Sequence, residues 1–140
     1  MQKPPPPVRS FITYSLAAAH QRIDRKIGKR LKSMGMQIET WRVLHTLRTD
    51  DTHSMGALAE VVLMNPPSLT KLVDRMVADG LVQRQLVAED QRHIRLMLTD
   101  LGLSVADEVT VYIKEQENRI ISLMGEKGVD RLKEALDTLK

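Results

Sequence analysis

Apolar residues recur at Ile12, Leu16, Ala19, Ile23, Ile27 and Leu31, at steps of four, three, four, four and four. That period predicts an amphipathic helix with a single apolar stripe. Arg22, Arg25, Lys26, Lys29 and Arg30 fall largely off the stripe, and a basic cluster in the last turns suits the helix dipole. Gly35 is a natural stop. Ahead of the helix, Pro4–Pro7 cannot be helical and reads as an extended, poorly ordered lead-in. A second helix is expected from about Gln37 to Thr49, with Ile38, Trp41, Leu44 and His45 on its inner face. Asp50-Asp51-Thr52-His53 reads as a loop. Ser54 then caps a short helix to about Leu63, with Leu58, Ala59 and Val62 inward.

Asn65-Pro66-Pro67-Ser68 carries the sharpest local signal. Asn caps a helix, and Pro fits its first turn, where a missing N–H has no intrahelical partner to lose. Leu69, Leu72, Val73, Met76 and Val77 form the inner stripe, and Gly80 stands where the residue after a helix cap turns left-handed, with Leu81 behind it. Two helices joined by so few residues predict a helix-turn-helix. The period then changes. Leu81–Val87 and Arg92–Leu98, separated by Ala88-Glu89-Asp90-Gln91, read as a hairpin in which Ile94, Leu96 and Leu98 alternate with His93, Arg95 and Met97. Thr99 caps a long helix with Val105, Val109, Tyr112, Gln116, Ile120 and Leu123 on one face. Gly125 and Gly128 break it, and a last helix carries Val129, Leu132, Leu136 and Leu139. The fold class is therefore mainly α, with one small β-hairpin.

Composition removes several kinds of chemistry. The 140 residues include no cysteine, which excludes disulfides, thiolate zinc sites, iron–sulfur clusters and a cysteine redox switch. His20, His45, His53 and His93 lie in different elements, without the paired spacing of a metal site. Neither a glycine-rich phosphate loop nor a Gly-x-Ser-x-Gly elbow occurs. No enzymatic activity, cofactor or metal is expected. Without an 18-residue apolar run or an apolar leader, the expected compartment is the cytoplasm. The net charge of +3 conceals an asymmetry: residues 1–34 hold eight Lys/Arg against Asp24 alone, residues 54–98 balance, and residues 99–140 hold six basic against nine acidic. A basic head and an acidic tail attract each other, within one chain or between two. The first helix and the helix over 101–124 both carry apolar stripes that one small winged domain cannot cover. This predicts a two-fold dimer built from residues 8–34 and 101–140.

The ordered set Leu58-Ala59-Glu60, Ser68–Arg75, Gly80–Arg84, Asp90-Gln91-Arg92 and Leu98–Gly102 resembles the MarR family of bacterial transcription regulators. So does Trp41-Arg42-Val43-Leu44. The family's wing signature, Asp-x-Arg followed after five residues by Leu-Thr, is matched by Asp90, Arg92, Leu98 and Thr99. Pro66-Pro67 departs from the usual start of the recognition helix, and many relatives carry Arg where Gln91 stands. The resemblance implies a winged helix-turn-helix at 35–100, dimerisation helices at 10–34 and 101–140, and a lead-in at 1–9. It implies that double-stranded DNA with a pseudo-palindromic operator is the partner.

On such a surface, Ser68 and Thr70 would donate to phosphates or base edges, and Lys71 and Arg75 would reach guanine or phosphate oxygens. The Pro66 and Pro67 rings offer apolar contact. By the family pattern Arg92 enters the minor groove and is held by Asp90, while Arg84 and Arg95 are either phosphate contacts or plain strand-surface charges. The resemblance also implies repression relieved by a small, aromatic or phenolic effector, for which Tyr14, Trp41, Arg42 and His45 are the candidate lining. The competing reading is a helical dimer that binds proteins and not DNA.

Overall fold

The computed structural model describes residues 2–49, 54–87 and 90–140; the expected loop at 50–53, and Ala88 and Glu89 of the polar stretch expected between the strands, lie outside them. The chain divides into two units, residues 1–38 and 39–140.

In the first unit, a 3₁₀ turn at Val8–Ser10 leads into α1, Ile12–Ser33. The expected stripe is real as a pattern, but only Leu31 on it is buried; Ile12 and Ile23 are exposed.

The second unit holds nearly all of α2 (Ile38–Thr49), then α3 (Met55–Val62), α4 (Pro66–Ala78), β1 (Val82–Val87), β2 (Asp90–Leu98), α5 (Asp100–Met124) and α6 (Glu126–Asp137). Its core joins Val43 and Leu44 of α2, Leu58, Ala59 and Val62 of α3, and Leu69, Leu72, Val73 and Met76 of α4. Leu81, Val82, Leu96 and Ala106 complete it. Two expected faces are rotated. In α2 the buried residues are Thr40, Val43 and Leu44, while Ile38, Trp41 and His45 are only half-buried. In α5 the buried face is Gly102, Ala106, Val109 and Ile113, and Leu123 is 80% exposed. In α2 the expectation follows the bulky Trp41, whereas the core takes Thr40 and Val43 beside the expected Leu44; in α5 the small Gly102 and Ala106 join the expected Val109 and let the helix approach closely. Gly128 does not break a helix but lies inside α6, which starts at Glu126 after Gly125 turns the chain at φ 77°.

All three expected N-caps form. Ser54 accepts from the Ala57 N–H at 3.1 Å, Asn65 from Ser68 at 2.9 Å and Thr99 from Gly102 at 2.9 Å. The hairpin pairs Val82 with Leu98 and Arg84 with Leu96, and it is irregular between Leu86 and Val87. β2 begins at Asp90, two residues before the expected strand.

Candidate nucleic-acid interface

The α3–α4 turn is built from backbone rules. Leu63 ends α3 with φ 61°; its N–H reaches the Glu60 carbonyl at 3.3 Å, and the Met64 N–H reaches that of Ala59 at 3.0 Å. This is the Schellman pattern that usually places glycine at the left-handed residue. Asn65 then caps α4, with Pro66 and Pro67 in its first turn. At the other end of α4 the same pattern recurs with the expected glycine. Gly80 (φ 75°) donates to Val77 at 3.0 Å and Leu81 to Met76 at 2.9 Å.

These two ends fix which residues of α4 face outward. Pro66, Pro67, Thr70, Lys71, Asp74 and Arg75 are exposed and Ser68 is half-buried, while the opposite side is sealed into the core. The Thr70 hydroxyl donates to the Pro66 carbonyl at 3.0 Å, so it meets a ligand as an acceptor rather than as the expected donor.

Arg84 is committed within the fold. It lies opposite Leu96 in the hairpin, and its guanidinium donates to the Asp74 carboxylate on α4. Strand β1 is thereby tied to the outward arc of α4. Sequence reasoning missed this pairing; ten residues and a change of element separate the partners. Arg95 is exposed on β2 and, with Arg48, Leu47, Leu96, Met97, Leu98 and Leu103, lines a shallow cleft of about 200 Å³. Asp90 and Arg92 belong to β2 by their backbone, and their side chains lie outside the described part of the structure.

At the foot of the hairpin several elements meet on one residue. The Thr99 hydroxyl lies 2.5 Å from the Gly80 carbonyl oxygen, to which it donates, and 3.1 Å from that of Leu81. The Thr99 hydroxyl oxygen accepts from the Gly102 N–H at 2.9 Å, and the Thr99 N–H donates to the Leu81 carbonyl at 3.1 Å. The end of α4, the end of β2 and the start of α5 are thus fastened together. A Cβ on Gly102 would lie 2.0 Å from the Leu81 carbonyl oxygen, so only glycine allows this approach.

Of the candidate effector residues, Trp41 and His45 stack with ring centroids 5.3 Å apart. The Trp41 indole N–H donates to Thr110 of α5 at 3.0 Å. Arg42 is half-buried beside them in sequence, and Tyr14 belongs to the N-terminal unit. Among the described residues no helix is long and apolar enough to cross a membrane.

A MarR family model matches residues 34–93, which span α2 to the first part of β2. The crystal structure of a MarR family transcriptional regulator from Silicibacter pomeroyi is 30% identical, with a TM-score of 0.82 and 96% of both chains covered. The chain belongs to the MarR family. Among curated relatives, the HTH-type transcriptional repressor IacR of Pseudomonas putida is 28% identical over 129 residues, 92% of this chain and 77% of that one. The Staphylococcus aureus MepR–DNA complex, at 18% identity, shares the fold with a TM-score of 0.83, covering 95% and 96% of the two chains. The mostly helical fold with its two-stranded antiparallel hairpin is the expected fold class and matches the winged-helix structures of MarR proteins.

Proposed function

We propose that this MarR protein is a homodimeric, sequence-specific DNA-binding repressor whose hold on DNA is relieved by a small aromatic or phenolic effector. The observation that carries the reading is the outward arc of α4. It presents Lys71 and Arg75, free of ion pairs among the described residues, on a helix held rigid at both ends. Pro66, Pro67, Ser68 and Thr70 complete the groove-facing turn, and Arg92, Asp90 and Arg95 serve the wing. Two such helices about 34 Å apart would enter successive major grooves of a pseudo-palindrome. The dimer would cover apolar side chains that are exposed in one chain: Ile12 and Ile23 on α1, Leu123 on α5, and Leu132 and Leu136 on α6. The effector would act by population shift, binding better to a dimer whose recognition helices are wrongly spaced.

Selection of duplexes from a random pool tests the reading. The wild-type dimer is expected to enrich a two-fold symmetric sequence with salt-sensitive affinity, and Lys71→Ala and Arg75→Ala to weaken binding by about 1–3 kcal/mol each. Failure to retain any DNA at low salt would leave the protein-scaffold alternative. Trp41 is the chain's single tryptophan. Its fluorescence therefore reports phenolic acids that bind beside it, and the same compounds are expected to release DNA.

A further inference from the structure

The winged segment, residues 54–98, is electrically balanced, whereas residues 1–34 carry eight Lys/Arg against a lone Asp24. On α1 these charges are ordered. Arg22, Arg25, Lys29 and Lys32 follow one another at i, i+3, i+7 and i+10, which places them within an arc of about 80° along about 15 Å of helix. All four are exposed, and none forms an ion pair among the described residues. Asp24 lies about 200° round the helix from Arg22 and does not interrupt them. Leu31, the buried residue of α1, lies on the far side, about 180° from Arg22. The exposed Ile12 and Ile23 lie about 80–100° from Arg22, so the apolar stripe proposed for the dimer and the cationic row are separate faces.

We infer that this row is a second DNA-contacting surface, a phosphate rail that supplies affinity without reading sequence. The inference rests on the DNA-binding reading above and adds where the affinity comes from. A winged segment with no net charge over residues 54–98 has few cations to spare for backbone contacts. Duplex DNA presents about one negative charge per 1.7 Å of axis, and each neutralised phosphate releases condensed counterions. A straight row of four long, unpaired cations has the charge and the linear form to accept such contacts. Its partner is the sugar–phosphate backbone rather than base edges.

The test replaces Arg22, Arg25, Lys29 and Lys32 together by Gln, a good helix former that keeps length and solubility. Wild type and variant are titrated with the selected duplex across a range of salt concentrations. The slope of log K against log salt is expected to become shallower by about 0.9 for each contact removed, hence by up to about 7 if all four contact phosphate in both protomers. The preferred sequence and the helical circular dichroism should stay unchanged. An unaltered slope in a variant that still selects the same site overturns the rail and leaves the recognition reading standing. A wild-type protein that binds no duplex overturns both. A changed sequence preference would mean the row reads bases. Loss of the dimer would mean it meets the acidic α5 of a second copy. Retention of wild type but not variant on phosphatidylglycerol vesicles, with DNA affinity untouched, would mean it meets a membrane. Each of these outcomes overturns the inference.

Discussion

Single positions in this fold are constrained by what the backbone does there. Gly102 is the strictest. Its Cα faces the Leu81 carbonyl so closely that a methyl would overlap it, so Gly102→Ala must push α5 away from the end of α4. A loss of about 3 kcal/mol or more in urea unfolding is expected, in the range of severe overpacking. Leu63 is the reverse case. A β-carbon in the left-handed region costs about 1–2 kcal/mol, and Leu63 recovers little through burial, being 75% exposed. Leu63→Gly should therefore raise the unfolding free energy, read in urea, by about 0.5–1 kcal/mol after the entropy of the added glycine is counted. Neither position was marked as constrained in the sequence. Gly102 sits in a motif without announcing a close approach, and leucine hides a turn that glycine would have advertised. The caps at Ser54, Asn65 and Thr99 were legible because a short polar side chain ahead of an apolar period has one local use.

At the scale of elements, the ordering of helices and hairpin followed from periodicity, while the rotation of two helices about their own axes did not. Trp41 drew the reading of α2 toward itself. It sits instead at the margin, where the ring is half-covered and the indole N–H finds Thr110. Trp41→Phe keeps most of the apolar contact and loses that bond; a destabilisation of about 1 kcal/mol is expected by chemical denaturation. The tie between β1 and α4 belongs to the same scale. Asp74 and Arg84 both reach solvent, so a double-mutant cycle with Asp74→Asn and Arg84→Gln should return a coupling of only about 0.2–1 kcal/mol. Its larger effect is expected on DNA. Arg84→Gln frees Asp74 to repel phosphate from the recognition arc, so affinity should fall more than stability does, as parallel titration and unfolding of the variant will read.

For the whole molecule, the separation of a balanced winged segment from a basic head was visible in a count of charges, and so was the need to cover apolar stripes on the terminal helices. How a second chain would cover them was not, because one sequence specifies a surface and leaves its mate implicit. In α6 no residue is buried within the chain, yet Leu132 and Leu136 share one face. Leu132→Asp with Leu136→Asp is expected to shift the sedimenting species from dimer toward monomer and to abolish cooperative occupation of a two-fold site.

The Thr99 junction sets the mechanics of that response. The end of the recognition helix and the root of the hairpin are riveted to the same hydroxyl as the first turn of α5. Helix α4 and the hairpin therefore cannot be steered apart from that end. Whatever tilts α5 turns both like the jaws of one wrench, so the effector proposed above would need do no more than lean on that shaft.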